Sequence, residues 1–344
     1  MNWTRFFVVF GAAIFVSFFA AGQGAAQIEG QVQNKDLSLD AITPEEFLSW
    51  KDEFINWGRW GPDDQLGMSN LITPEKIKSA TALVQDGTII SLAHPVPKVA
   101  AADVREDGLF NRSTNRIGPT GTSDTFSVSY HGLTVAHMDT WCHRFFDGEM
   151  YNGIPVEGNL NEEEGCVEGG VMNWKDGVTT RAVLYDIPAL KGVEWLEPGE
   201  VVTRADLEAF EEMSGVRAGP GDVVVLYTGR WKRRAAMGAW RDDVPGYYVD
   251  TVPWIHEREP AFIAHDFNID WGPRAGWTEE VGIRGGPIHQ AVLHWMGINI
   301  LECLDLERAV EAAREKNRYE FLITWAPLPV EGGSGSPVNP LAIF

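Results

Sequence analysis

The feature that most constrains the fold of this chain is the stretch HGLTVAHMDTWCH, which carries three of the eight histidines. His137 and Asp139 are two residues apart, so a β-strand would point both side chains to one face of a sheet. His131 shares that face if the strand stays regular, and His143 follows four residues after Asp139. Imidazole and carboxylate groups are typical ligands of catalytic Zn²⁺ or Mn²⁺. The stretch therefore predicts a metal site on a strand, although a lone histidine such as His131 is more often structural.

Length and charge limit the possible partners and the domain organisation. The chain has 344 residues and a formal net charge of −21 at pH 7. This acidity argues against nucleic acid and anionic membrane surfaces as partners, because phosphate groups are bound by basic surfaces. We predict a single domain over residues 43–344, preceded by a loose extension over residues 27–42.

The first 26 residues have the pattern of a secretory signal peptide. Arg5 is their one charge, residues 6–21 are apolar, and Gly24, Ala25 and Ala26 provide small residues for cleavage. An uncleaved membrane anchor is the alternative. No later stretch is long and apolar enough to span a bilayer, so we expect a periplasmic or secreted protein without a stable span after cleavage.

Short strands and helices alternate along the rest of the chain, which is typical of a mixed α/β fold. Helices are predicted to begin after Thr43, Thr73 and Thr203, where Pro or an acidic residue follows in a capping pattern. Near-continuous apolar runs at 181–187 and 223–228 predict buried strands. The remaining predicted elements are strands at 88–93, 126–130, 262–269, 298–301 and 321–326, helices at 287–296 and 306–317, a long loop at 96–124 and an irregular tail at 327–344.

The three cysteines are too few for a disulfide framework. We expect Cys142, Cys166 and Cys303 to be buried unpaired thiols, with a Cys142–Cys303 bridge as the alternative.

The segment AHMDTWCH resembles the signature H-x-G-T-H-x-D-x-P-x-H of the cyclase family of metal-dependent hydrolases, which includes kynurenine formamidase (arylformamidase) and isatin hydrolase. His137, Asp139 and His143 fall on the second His, the Asp and the last His of that signature. Leu133 stands where the signature has its first His. Either His131 replaces that ligand through a different strand path, or the site is one ligand short.

A second segment extends the resemblance, which spans roughly residues 60–344. GINILECLDL is similar to the family pattern G-I-x-I-x-E-x-L-x-L, and Glu302 falls on its acidic ligand. By strict spacing the partner His would be at Gln290, but Pro287-Ile288-His289-Gln290 fits the P-x-H-Q of a longer bacterial branch. The resemblance therefore implies His289 as a further ligand.

The resemblance implies an α/β fold of the swivelling β/β/α kind, with a central mixed, partly barrel-like sheet flanked by helices. It also implies a homo-oligomer and a metal-dependent hydrolase of a C–N bond in an amide, formamide or lactam. In that hydrolase His137, Asp139, His289, Glu302 and, less securely, His131 would hold one or two Zn²⁺ or Mn²⁺ ions, and His143 would carry protons.

The expected substrate is a small molecule, possibly aromatic, because Trp141 lies within the motif and could form an aromatic pocket. Arg230, at a strand end, could bind a substrate carboxylate, although a surface cluster fits equally well. Three alternatives stay open for the whole protein: a lactone or ester hydrolase, a dehydratase or cyclase with the same site, and a non-catalytic small-molecule binding protein on this fold.

Overall fold

The computed structural model describes Met1 and residues 42–104, 109–272 and 286–344. The predicted signal peptide and loose extension lie outside the described residues, apart from Met1 and Ile42. The chain divides between Ala41 and Ile42, and Ile42–Phe344 form one compact unit.

The strands and helices of the described residues alternate along the chain, as the mixed α/β prediction requires. The strands are β1 (Ile89–Ser91), β2 (Asn111–Ile117), β3 (Gly121–Ser127), β4 (His137–Asp139), β5 (Leu160–Asn161), β6 (Gly165–Cys166), β7 (Val178–Asp186), β8 (Val201–Val202), β9 (Val223–Tyr227), β10 (Gly246–Tyr247), β11 (Phe262–His265), β12 (Asn299–Glu302), β13 (Glu320–Trp325), β14 (Gly335–Pro337) and β15 (Leu341–Ile343). The α-helices are α1 (Pro44–Ser49), α2 (Lys51–Phe54), α3 (Pro74–Thr81), α4 (Ile187–Lys191), α5 (Arg204–Ser214), α6 (Arg230–Met237), α7 (Thr251–Arg258), α8 (Pro287–His289) and α9 (Glu307–Lys316). Short 3₁₀ helices cover Gly67–Leu71, Trp141–His143, Tyr151–Gly153 and Val171–Trp174.

A mixed sheet of nine strands forms the centre of the described part of the molecule and curls into a half-barrel. Its order is β1-β15-β13-β7-β9-β11-β12-β4-β14. The four strands β7, β9, β11 and β12 are parallel, and the pairs outside them are antiparallel. Every residue of β9 is buried, which explains why this strand has an apolar run without polar alternation.

Helix starts follow the capping patterns in the sequence. Thr43 and Thr73 accept hydrogen bonds from the third residue after them, and Pro occupies the first helical position in each case. Thr203 and Asp206 form a complete capping box at the start of α5. Helices α3 and α5 then pack on β7, so the caps fix the helices that cover the centre of the sheet.

The glycines and prolines of the tail at 327–344 predict an irregular segment, but the tail contains two strands. Its strands β14 and β15 pair with β4 and with β1 and β13. As a result, β4 lies between β12 and β14, and both of its neighbours come from the last part of the chain. The prediction of an irregular tail is wrong because short strands rich in Gly and Ser resemble turns until their pairing partner is known.

The prediction of a long loop at 96–124 is wrong in its second half, which contains strands β2 and β3. Strands β2 and β3 form an antiparallel hairpin in which every residue is exposed. Phe126 was predicted to begin a strand leading to the histidines, but β3 ends at Ser127. Polar residues on both faces of this hairpin gave no alternating pattern, so the sequence did not reveal it.

The helix predicted at 287–296 changes type along its length. Helix α8 continues into a π-helix over Gln290–Met296, which ends at Gly297 with a positive φ of 67°. Carbonyl groups near its end accept hydrogen bonds from the N-terminal segment. The Nε1 atom of Trp57 donates to the carbonyl oxygen of His294 at 2.7 Å, and the amide of Asn56 donates to that of Trp295 at 2.9 Å.

A disulfide joins Cys142 to Cys166, and Cys303 is a buried free thiol. The expectation of three unpaired thiols is therefore wrong, and so is the alternative bridge from Cys142 to Cys303. The strand order explains the outcome. Cys303 directly follows β12, whereas Cys166 donates a hydrogen bond to Gly332 just before β14, on the opposite side of β4. Among the described residues, no helix has both the length and the apolar character needed to cross a membrane.

Candidate metal centre

The centre of the site consists of three buried side chains from two neighbouring strands. His137 and Asp139 lie on β4, and Glu302 ends β12 directly opposite His137 in the antiparallel register. The Nε2 atom of His137 is 3.6 Å from Oδ2 of Asp139 and 3.8 Å from Oε2 of Glu302. Each side chain offers one ligand atom, and these atoms lie within 4.8 Å of one another. Strand pairing therefore brings together two segments that are more than 160 residues apart in the sequence.

The orientation of His137 suits a metal ligand. Its Nδ1 atom is 2.7 Å from the carbonyl oxygen of Val135. Since a carbonyl oxygen only accepts hydrogen bonds, Nδ1 of the neutral ring carries the proton and donates it. Burial alone would lower the pKa of His137, but Asp139 beside it raises that pKa well above its usual value, so a metal ion would displace a proton from Nε2. The lone pair of Nε2 would then face Asp139 and Glu302, as in metal-bound imidazoles whose other nitrogen donates to a carbonyl.

His131 and His143 form a second group with Asp139. The Nδ1 atom of His131 is 2.8 Å from Oδ1 of Asp139, and the rings of His131 and His143 stack with their centroids 4.3 Å apart. Residues 131–136 do not form a strand, so His131 reaches the site without the regular strand that was considered. Leu133 lines the adjacent pocket, and its carbonyl oxygen accepts a hydrogen bond from Arg230.

His289 joins the site from the first turn of α8. Its Nδ1 atom is 2.5 Å from Oδ2 of the buried Asp270, and its Nε2 atom is 3.4 Å from Oε1 of Glu302. The other oxygen of Asp270 accepts a hydrogen bond from the amide of Ile288 at 2.8 Å. Asp270 therefore holds one nitrogen of His289 and leaves the other pointing towards Glu302.

Two further contacts fix the carboxylates. Oε1 of Glu302 accepts a hydrogen bond from the amide of Ile269 at 2.8 Å, and Oε2 accepts one from Nδ2 of Asn268 at 3.2 Å. Gly335 on β14 passes close to the site. A Cβ atom at this position would lie 3.1 Å from Cε1 of His131 and 3.3 Å from Oδ1 of Asp139, and it would clash with the carbonyl oxygen of Met138. Only a glycine therefore fits there.

Burial and charge act in opposite directions on the titratable groups. Burial raises the pKa of Glu302. Burial would also raise the pKa of Asp139, but His143 and His137 beside it hold that pKa well below its usual range. Burial lowers the pKa of His143 to about 3, although Asp139 favours its charged form. The neutral imidazole of His143 is therefore the dominant form at neutral pH.

The residues fit a divalent metal ion. The Nδ1 atom of His131 and the Oδ1 atom of Asp139 are buried and 2.8 Å apart, so a hydrogen bond or a shared cation would satisfy both. Two buried carboxylates, Asp139 and Glu302, meet here, and buried charges in proteins are normally paired or coordinate a metal. Imidazole nitrogen and carboxylate oxygen are ligands that suit Zn²⁺ and Mn²⁺.

The predicted residues face a pocket of about 500 Å³, a size suited to a small molecule. The walls contain all six of the candidate metal and proton-transfer residues, which are His131, His137, Asp139, His143, His289 and Glu302. Charged side chains outside this set complete the pocket, namely Asp103, Arg144, Arg241 and Asp242.

Two predicted substrate-binding residues lie elsewhere. Trp141 is fully buried, donates from Nε1 to the carbonyl oxygen of Gln65 at 3.0 Å, and packs against Gly169 so closely that a Cβ there would overlap its ring. Arg230 is also buried and pairs with Asp103 at 2.7 Å. Neither side chain lines the pocket. Both have structural contacts, so the geometry does not support direct contact with a substrate.

Sequence reasoning missed Asp270, Asn268 and Gly335. Asp270 and Asn268 follow the buried strand β11, and polar residues after a parallel strand are a recognisable signal of a site at that sheet edge. No local signal marked Gly335, since its importance depends on the pairing of β14 with β4.

Comparison with known proteins adds the family. A sequence profile described as putative cyclase matches residues 90–270. No protein of curated function matches the chain. The crystal structure of a novel cyclase is 31% identical to this chain, covers 86% of it and 99% of its own length, and superimposes with a TM-score of 0.75.

Two isatin hydrolases are more distant. Isatin hydrolase A from Ralstonia solanacearum is 22% identical, with a TM-score of 0.50, and covers 74% of this chain and 91% of its own. An isatin hydrolase bound to the product analogue thioisatinate is 15% identical, with a TM-score of 0.52, and covers 78% of this chain and 95% of its own. At these identities the similarity concerns the fold alone. The profile match over more than half of the chain and the 31% identical relative show that this protein belongs to the putative cyclase family.

Proposed function

We propose that this protein is a metal-dependent hydrolase that cleaves a C–N bond in an amide, formamide or lactam. The observation that carries the proposal is the group His137, Asp139 and Glu302, which is buried at the base of a pocket and joined there by His131, His143 and His289. When bound, Zn²⁺ or Mn²⁺ supplies Lewis acidity that acidifies water and polarises a carbonyl group.

The chain's own residues would position the reaction. His137, Asp139, Glu302 and His289 form a rigid wall, because each is held by strand pairing or by a hydrogen bond on the side away from the pocket. His143 is partly open to the pocket and lies beside Asp139, whose charge favours the protonated ring, so this imidazole could relay a proton from water to the leaving nitrogen. The asymmetry between the rigid wall and the accessible His143 supports a proton-transfer role for His143.

A lactam is the first substrate class to test. The fold resembles that of isatin hydrolases, and isatin is a cyclic aryl amide that fits a pocket of about 500 Å³. Lactones and esters share the tetrahedral oxyanion of amide hydrolysis and belong in the same assay. A dehydratase or cyclase would release a product without net consumption of water.

The alternative of a non-catalytic binding protein rests on Leu133, which replaces a ligand of the family signature. The approach of His131 to Asp139 weakens that argument, because it supplies an imidazole where Leu133 does not. A binding protein also has no need of the partly accessible His143 beside the buried carboxylates.

Metal analysis tests the proposal first. The mature protein, purified without a His-tag, is analysed by mass spectrometry beside His137→Ala, His131→Ala and Leu133→His. We expect about one or more Zn or Mn per chain in the wild type and loss of metal in His137→Ala. Loss in His131→Ala would assign His131 as a ligand. A metal-free wild type that gains metal only in Leu133→His would contradict the hydrolase proposal.

We also propose that the protein is exported and forms a homo-oligomer. The Cys142–Cys166 disulfide supports export, since disulfides persist in the periplasm and outside the cell. The hairpin of β2 and β3 supports association, because an exposed two-stranded hairpin is marginally stable until another surface covers it. Cell fractionation and light scattering on the mature protein test the two proposals.

A further inference from the structure

We propose that the pocket selects substrates that carry a carboxylate group and that Arg144 binds this group. The inference deepens the proposed hydrolase function and rests on it for the reaction, but anion binding is measured without catalysis. It also transfers to Arg144 the role that the sequence had suggested for Arg230.

Arg144 has no carboxylate partner within the described residues. Its Nε atom is buried without a hydrogen-bond partner, and its side chain lines the pocket next to His143. By contrast, the buried Arg258 pairs with Glu211 at 2.7 Å and the half-buried Arg181 with Glu320 at 2.9 Å. Arg318 also has a buried Nε without a partner, but it lies outside the pocket wall. Acidic residues outnumber Lys and Arg by 49 to 28, yet Arg144 forms no ion pair with any of the acids that line the pocket.

The nearby acids do not neutralise Arg144. Asp103 lines the same pocket, but it is held by Arg230 at 2.7 Å and by Arg234 at 2.6 Å. Asp242 points to solvent with 90% of its side chain exposed, and its nearest cation is Arg241 at 3.9 Å. The carboxylates of Asp139 and Glu302 belong to the candidate metal centre. Arg144 therefore keeps its positive charge available for a ligand.

The chemistry of the pocket favours a carboxylate over a phosphate. A guanidinium group binds one carboxylate through two parallel hydrogen bonds, and the planar fork matches the two oxygens. Arg241 at the rim adds a second, largely exposed cation that can attract an anion from solvent. Asp103, Asp139 and Glu302 on the same walls would repel a dianion more strongly than a monoanion.

Arg144 is also the next residue in the sequence after His143, the proposed proton carrier. It directly follows the 3₁₀ turn Trp141–His143, and its amide donates to the carbonyl oxygen of Trp141. This turn is fixed by the disulfide at Cys142. The carboxylate of a substrate bound by Arg144 would thus lie on the His143 side of the pocket.

Ligand binding tests the inference with benzoate and benzamide, two probes of nearly equal shape and different charge. Titrations monitored by ligand NMR compare the purified wild type with Arg144→Gln, Arg144→Lys and the control Arg318→Gln, an arginine outside the pocket wall. We expect the wild type to prefer benzoate, and Arg144→Gln to weaken benzoate binding about tenfold while benzamide binding is unchanged. Arg144→Lys keeps the charge without the planar fork, so its affinity for benzoate should lie between those of the wild type and Arg144→Gln. This variant also tests the inference if Arg144→Gln does not fold.

Equal binding of benzoate by wild type and Arg144→Gln, or absence of any preference in the wild type, would overturn the inference. A second arm separates a carboxylate of the substrate from the carboxylate that hydrolysis creates. Anilides with and without a ring carboxylate are compared as substrates, and Arg144→Gln should raise KM for the charged member alone. Equal slowing of both anilides by Arg144→Gln would overturn the inference, because Arg144 would then bind the carboxylate that hydrolysis creates. Benzoate binding is independent of turnover, so absence of hydrolysis would contradict the proposed function and leave the carboxylate site standing.

Discussion

At the scale of single residues, the site is determined by hydrogen bonds on the side away from the pocket. Val135 accepts from one nitrogen of His137, and Asp270 holds one nitrogen of His289. Each contact leaves the other nitrogen of the ring directed towards the carboxylates. Such partners orient metal-bound histidines and raise their basicity, so their loss is felt at the metal even though they do not touch it.

Asp270→Asn should weaken metal binding by about tenfold while the fold is kept, because the amide has nearly the same shape but lacks the charge that increases the basicity of His289. Competition with a chromophoric chelator measures the metal affinity, and circular dichroism checks the fold. Asp305→Asn is the matched control. Asp305 accepts a hydrogen bond from the amide of Glu307 at the start of α9, and it is not part of the pocket wall. Unchanged metal affinity in Asp270→Asn would contradict this role for Asp270.

Local spacing allowed the prediction of His137, Asp139 and His143 as one group, and the resemblance to the cyclase family added His289 and Glu302. The structure brings all five to one pocket. The approach of His131 and the role of Asp270 could not be predicted with the same certainty, since both depend on irregular backbone and on side-chain contacts. The assignment of metal ligands remains a prediction until metal is measured.

At the scale of elements, β4 is the short strand that carries the metal centre, and its position depends on both neighbours. It pairs with β12 on one side and with β14 on the other. The predicted buried strands at 181–187 and 223–228 appear as β7 and β9, because apolar runs report burial directly. The hairpin β2–β3 and the strand β14 were missed, because polar composition and Gly-rich segments do not report pairing.

Gly335→Ala tests the close pairing of β4 and β14. The added Cβ atom would clash with the carbonyl oxygen of Met138 and crowd His131, so we expect a loss of about 1–3 kcal/mol in unfolding free energy and weaker metal binding. Gly121→Ala is the control, because the nearest atom to a Cβ in that strand is 3.7 Å away. Denaturant unfolding and metal titration give the two readouts, and equal behaviour of the two variants would contradict the crowding argument.

The disulfide stabilises the segment that contains the 3₁₀ turn before Arg144. Cys142 and Cys166 are 24 residues apart, and closing a loop of this length contributes roughly 3 kcal/mol. Cys166→Ser should lower the unfolding free energy by a similar amount under oxidising conditions. Reductant should destabilise the wild type and leave the variant unaffected. A wild type that is insensitive to reductant would argue against the bridge.

At the scale of the whole molecule, the candidate metal centre links distant parts of the chain, so metal binding there should stabilise the entire domain. Chelation should lower the melting temperature, and at free metal one hundred times the Kd the lost stabilisation is roughly 3 kcal/mol. Differential scanning calorimetry with chelator and with metal added back measures the shift. His137→Ala should not respond to either treatment, and a wild type that melts at the same temperature with and without chelator would contradict the linkage.

The position of β4 between β12 and β14 has a consequence for the order of events after synthesis. The strand that carries His137 and Asp139 is synthesised about 160 residues before its nearer neighbour β12 and before β14. A partial chain that ends before β12 lacks Glu302, so its candidate set of metal donors is incomplete. If the protein is exported, as we propose, and crosses the membrane unfolded, the compartment in which β12 docks on β4 would supply any ion that the site binds.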